Sequence, residues 1–436
     1  MNPNKFSFIR PKKFPFFYGY AIVLFGSIGV LFSIPGQTVG VSVFTDPVKD
    51  SLGLNRNQFS NAYMVGTLIS AFFVTKAGKL FDLFGARFVA VFAAFSLGVS
   101  LFIFSFSEII SGFIKDLFTT NSWVVPFLLL CFLFFLIRFF GQGVLTMASR
   151  NMVMIWFDSN RGKINSISSI TISLGFSSSP ILINYLIDHN GWELSWQILA
   201  CSLFIFCFFI LQFYRNKPED FGLIPDGIKS HQKNKKTQIP TEINFTLKEA
   251  KKTRTFWMFG MALAFNSFFI TGFTFHVVSI FESFQYTKND AISIFLPISI
   301  IAICISTIAN VLSDYIAHKF YLFAMLCSGF LAAFGLLNLG ANFGIYLLII
   351  GLGFYSGFFA VVNAVSWPHY FGRKYLGEIT GKVMSFLVIA SALAPSLMSY
   401  CFTKLGSYSY ISYLLIGFLV FLSFGSFKVE KPSKIY

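Results

Sequence analysis

Arg138 is the residue whose type and position carry the most chemistry. It lies about 15 residues, or ~22 Å of helix, into an apolar run that begins near Trp123, close to the middle of a ~30 Å hydrocarbon layer. A guanidinium is costly at that depth and normally faces a cavity or a counter-charge. The acids Asp46, Glu108, Glu193, Glu282 and Asp290 all fall near the ends of apolar runs, so none reaches it. The expected partner is an anionic solute, whose carboxylate suits a planar fork of donors. His276 is the one histidine deep in an apolar run. Imidazole is the side chain suited to moving protons at physiological pH, which makes His276 a candidate for proton coupling, although a lone histidine also serves as a packing residue. Gln37, Thr38, Gln142, Asn266 and Asn363 are further polar groups within apolar runs, each able to line a cavity or to bond a neighbouring helix.

Twelve apolar segments must position these side chains. With 55% hydrophobic and 12% charged residues and a mean hydropathy of +0.70, the chain reads as a polytopic membrane protein. Spans are expected near 16-44, 58-77, 87-107, 123-150, 162-187, 194-214, 255-281, 288-313, 318-340, 342-370, 375-401 and 405-427, all as helices because unpaired backbone groups are not tolerated in lipid. With the N-terminus inside, 27 of the 33 Lys and Arg fall on the cytoplasmic side and five outside, so both termini are expected in the cytoplasm. The net charge of +15 then follows from topology and anionic lipid, with no nucleic-acid partner required.

Residues 215-254 form a basic cytoplasmic linker that separates a six-span half, 16-214, from a second, 255-427, between a cytoplasmic segment 1-15 and a tail 428-436. Its middle, with Lys233, Lys235 and Lys236, reads as flexible, and the stretch from Thr246 as a short amphipathic helix. All six cysteines fall inside spans, with no CxxC and no histidine at ligand spacing, so no metal or cofactor is expected. An enzyme needs grouped acids, bases or nucleophiles, and these are absent from the pattern.

The halves echo each other. Leu54, Arg56, Asn57 and Asp82 align with Tyr286, Lys288, Asn289 and Asp314 at one offset of 232 positions. Phe157 precedes Pro180 by 23 positions and Phe371 precedes Pro395 by 24. These matches rest on charged and turn residues, which makes duplication the natural reading.

Twelve spans divided by a basic loop, with Gly78-Lys79-Leu80-Phe81-Asp82-Leu83-Phe84-Gly85-Ala86-Arg87 between spans two and three, resemble the major facilitator superfamily over essentially the whole chain. Pro35 to Thr38, Arg138 to Gly143, Trp156 with Arg161 and Gly162, and Lys217 to Gly227 are similar to its monocarboxylate and oxalate/formate branch. The resemblance implies an all-α transporter of a small molecule, working as a monomer in the cell inner membrane by alternating access of two pseudo-symmetric six-helix halves. Spans one, four, seven and ten would surround the pathway, and Arg138 would contact the substrate or serve helix packing or proton coupling. Gly78 and Gly85 would allow a tight turn and close helix approach, and Asp82 would pair with a cation or cap a helix in the other half. Arg87, Arg161, Asp314 and Arg373 would belong to the same gate, Asp314 in a more eroded setting. Drug efflux is the alternative transport class, weakened by serine before Pro180. A non-transporting sensor is the alternative of a different kind.

Overall fold

Apolar runs of this length satisfy their backbone groups by coiling into helices, and the computed structural model, which describes residues 10–227 and 244–432, contains no strand among them. In chain order the helices are α1 (Gly19–Phe32), α2 (Thr38–Val43), α3 (Thr45–Ser51), α4 (Arg56–Ser105), α5 (Ser107–Leu117), α6 (Val124–Ile137), α7 (Thr146–Trp156), α8 (Arg161–Phe213), α9 (Leu247–Ala250), α10 (Arg254–Ser283), α11 (Lys288–Ser293), α12 (Phe295–Leu312), α13 (His318–Leu337), α14 (Asn342–Phe371), α15 (Leu376–Leu405) and α16 (Ser409–Ser426). A π-helical segment, Arg138–Leu145, joins α6 to α7.

Nine helical stretches among the described residues are long and apolar enough to cross a membrane. Two of them, α4 with 50 residues and α8 with 53, would run ~75 Å and ~80 Å if straight, over twice the hydrocarbon thickness. Each is broken at a glycine with left-handed φ, Gly85 at 82° and Gly191 at 76°. Counted as two spans each, and with α1 added, these stretches make twelve.

Four local expectations are corrected. The first span, expected unbroken over 16-44, stops at Phe32, passes through a 3-10 turn at Ile34–Gly36 and resumes as α2. Pro35 lacks an N–H and cannot continue the ladder. The spans at 58-77 and 87-107 run on through the charged turn until Gly85 alone breaks the helix. The span at 123-150 changes to π-helix at Arg138 and continues to Trp156. The amphipathic helix after Thr246 shortens to the four residues of α9, closed by a reciprocal capping box between Thr246 and Glu249. The linker residues Lys233, Lys235 and Lys236 lie outside the described residues.

Between spans, α5 buries Ser107 and Ser111 and exposes Ile109, Phe113 and Leu117, a stripe at four-residue spacing that gives this connection an apolar outer face.

The chain divides into two compact units: Met1–Asp158 with Thr171–Pro240 and Leu376–Ser385, and Ser159–Ile170 with Thr241–Tyr375 and Phe386–Tyr436. The first turns of α15 group with the first unit, and the first turns of α8 with the second.

Candidate functional site

In the first unit, the break at Pro35 brings backbone oxygen and a hydroxyl to Arg138. One terminal nitrogen of the guanidinium donates to the Gly36 carbonyl at 3.1 Å and to Thr38 Oγ1 at 3.3 Å. Tyr63 lies beneath it, ring centroid 5.1 Å from the guanidinium carbon, and its hydroxyl is 2.9 Å from Thr38 Oγ1. The side chain is 2% exposed and no described carboxylate forms an ion pair with it. The approach depends on two glycines, since a Cβ on Gly141 would stand 2.8 Å from the Gly36 Cα and one on Gly36 would overlap the Ile137 carbonyl.

Gln37 points its amide into the same layer, donating to Ser33 Oγ at 3.1 Å and to Thr146 Oγ1 at 3.0 Å, while Thr146 donates to the Gly141 carbonyl at 3.1 Å. Arg138, Gln37 and Thr38 thus form one polar layer joining α1, the Pro35 turn and the π-segment. Gln142 is part-exposed and has no bonding partner among the described residues. Tyr63, Ser33 and Thr146 belong to this layer and were not singled out in the sequence.

The second unit keeps its polar candidates apart. Asn266 is buried and donates to the Tyr355 carbonyl at 3.3 Å. His276 places Nε2 2.9 Å from the Pro395 carbonyl oxygen, so Nε2 carries the proton, and its Nδ1 stands 3.5 Å from Tyr408 Oη. Tyr408 in turn donates to Ser279 at 2.9 Å. Asn363 is part-exposed and unpartnered among the described residues. An apolar cavity of about 410 Å³ lies between α10, α15 and α16, lined by Met261, Phe265, Phe268, Met398 and Phe418, and contains none of these polar groups.

The gating candidates assemble at helix starts. Asp82 accepts from the backbone N–H of Gly377 and of Glu378, both at 2.8 Å, the second and third residues of α15. Asp314 accepts from Gly162 at 2.7 Å and Lys163 at 3.1 Å, the second and third residues of α8. Each carboxylate therefore takes two of the orphan N–H groups that a helix start leaves open, at its positive end. The sequence suggested an eroded second copy at Asp314; its hydrogen-bond geometry matches the first. Glycine is required at both contacts, because a Cβ on Gly78 would overlap the Gly377 carbonyl and one on Gly162 the Asn310 carbonyl.

Asp82 lies 26 residues into α4, ~39 Å from its start and past the hydrocarbon. Burial lifts its carboxyl to about 7, against the two backbone donors and Lys217, with Glu378 adding to the rise. Arg87 and Arg373 share another arrangement: Asn216 Oδ1 accepts from the Arg87 N–H and Asn244 Oδ1 from the Arg373 N–H, both at 3.1 Å. Arg161 is buried near His318.

Broken membrane helices with a cationic polar layer and carboxylate-capped helix starts define a membrane carrier architecture. A model of the Major Facilitator Superfamily matches residues 16–354, and the chain belongs to this superfamily. It is an integral multi-pass membrane protein and a transporter. It is similar to the uncharacterised transporter YybO of Bacillus subtilis strain 168, 25% identical over 410 residues that cover 88% of this chain and 87% of that one. Among solved structures, the proton:xylose symporter XylE bound to 6-bromo-6-deoxy-D-glucose superposes with a TM-score of 0.65 at 15% identity, covering 94% of each chain. The human organic anion transporter MFSD10 superposes with a TM-score of 0.60 at 14% identity, covering 94% of this chain and 99% of that one.

Proposed function

We propose that this transporter moves a small organic anion of the monocarboxylate or oxalate/formate kind by alternating access in the plasma membrane. The shared fold hosts a sugar symporter and an organic anion transporter alike, so the solute is decided by residues. The carrying observation is Arg138. Its bonds to the Gly36 carbonyl and Thr38 hold the guanidinium in place without neutralising it, and no described carboxylate supplies the missing charge. A cation fixed in a low-dielectric layer selects an anion strongly. His276, with Nδ1 facing Tyr408, is the group available for coupled protons. Asp82 and Asp314 hold the starts of α15 and α8 in the closed cytoplasmic state and release them on opening.

The test is uptake of radiolabelled small carboxylates, sugars and nucleosides into proteoliposomes, with and without a proton gradient. Carboxylate uptake is expected in the wild type and at least tenfold less in Arg138→Gln at equal reconstituted amounts. Movement of neutral solutes alone, or normal uptake by the variant, would remove the anion reading.

A further inference from the structure

Arg150 closes the fourth apolar run, expected over 123-150, and its guanidinium makes no bond among the described residues. It belongs to α7, in which each of the other ten residues is buried while Arg150 alone keeps part of its surface open. Its Nε is buried without a partner, and no described carboxylate, carbonyl or hydroxyl bonds its guanidinium. Arginines that serve packing look different in the same unit: Arg87 donates to the Leu211 carbonyl and Arg215 to the Tyr214 carbonyl at 2.7 Å. Its Nε has lost hydration with no bond in return, as have those of Arg87, Arg138 and Arg215, but Arg150 alone among the four has no bond to the described residues from the rest of its fork, which keeps part of its surface open.

The π-segment aligns Arg150 with Arg138. Twelve positions of α-helix would set two side chains ~120° apart at ~100° per residue. The i→i+5 bonding of the Arg138–Leu145 segment takes up one extra residue, so twelve positions turn like eleven and the offset falls to roughly 20°. Both cations then share one face of the fourth span, separated by roughly 17 Å along its axis.

We infer that Arg150 is a second anion-binding side chain, which receives the solute's carboxylate on the cytoplasmic part of the route after Arg138 releases it. A carboxylate supplies two acceptors and a negative charge to a fork that the protein leaves unsatisfied. This inference rests on the anion reading above, and the test separates the two.

Uptake kinetics of the best-carried carboxylate are measured in proteoliposomes for wild type, Arg150→Gln and Arg150→Lys, together with melting of each protein in detergent. A binding role predicts a KM raised at least tenfold in Arg150→Gln, largely restored in Arg150→Lys, whereas a structural role lowers the maximal rate and the melting temperature with KM unmoved. Should Arg150→Gln fail to fold, Arg150→Cys is made in a background with the six native cysteines replaced. A cationic methanethiosulfonate is then expected to restore uptake and a neutral one not, and substrate is expected to slow the labelling. An unchanged KM in Arg150→Gln, or equal rescue by the neutral reagent, overturns the inference and leaves the role of Arg138 standing. A wild type that carries no carboxylate overturns the anion reading itself.

Discussion

Asp82 is a single carboxyl with a measurable consequence. Held against the start of α15 it titrates near 7, whereas its ordinary value is 3.8. The held state therefore binds more protons between those values, so its stabilising contribution is complete below about 4 and is lost as pH rises through 7. Asp82→Asn removes the titration, and the melting temperature of the wild type relative to this variant is expected to fall between pH 5 and pH 7.5. A constant difference would show that the contact does not titrate in this range. The contact was partly legible because charged turns are rare in so apolar a chain, and a carboxylate at a helix mouth has few partners available. Tyr63 had no such mark: one aromatic among many acquires its role only when Pro35 bends Thr38 toward it. Arg150 was hidden for a related reason. Its place at the end of an apolar run looks like a loop cation, and only the burial of its neighbours shows otherwise.

Among the elements, the π-segment and the Pro35 turn decide where the cations stand. The sequence showed twelve spans through length and hydropathy, and those are properties a helix keeps whether it is straight, bent or overwound. It did not show the change to i→i+5 bonding at Arg138, because no composition rule marks a single widened turn. The glycines at 36 and 141 are the physical trace of it, since their close approach binds the turn to the widened segment. Gly141→Ala places a methyl 2.8 Å from the Gly36 Cα and 3.2 Å from the Ser33 carbonyl, both backbone. Overpacking of this kind costs about 1–3 kcal/mol, so a lower melting temperature in detergent is expected, together with weaker carboxylate uptake as the Gly36 carbonyl withdraws from Arg138. Melting at the wild-type temperature would mean that the turn is held by other contacts.

At the scale of the whole molecule, the two compact units are not the two halves of the sequence duplication. Each incorporates the first turns of a helix from the other repeat, fixed by a carboxylate across its second and third N–H groups and by a glycine that admits the backbone. The device recurs at Asp82 and Asp314, and the proposed gating role sets the expectation that both helix starts are released in one transition. The consequence is testable at a distance. Ser385 on α15 is 2% exposed and bonds the Ala71 carbonyl, so a cysteine there, in a background lacking the native six, reports release of α15 by its labelling rate. Asp314→Ala removes the carboxylate that holds the start of α8. If one transition opens both, it should nevertheless speed labelling at position 385 several-fold, and with Asp82→Ala the two factors should multiply, as independent contributions to one equilibrium do. Labelling that responds to Asp82→Ala and is untouched by Asp314→Ala would show two separate latches.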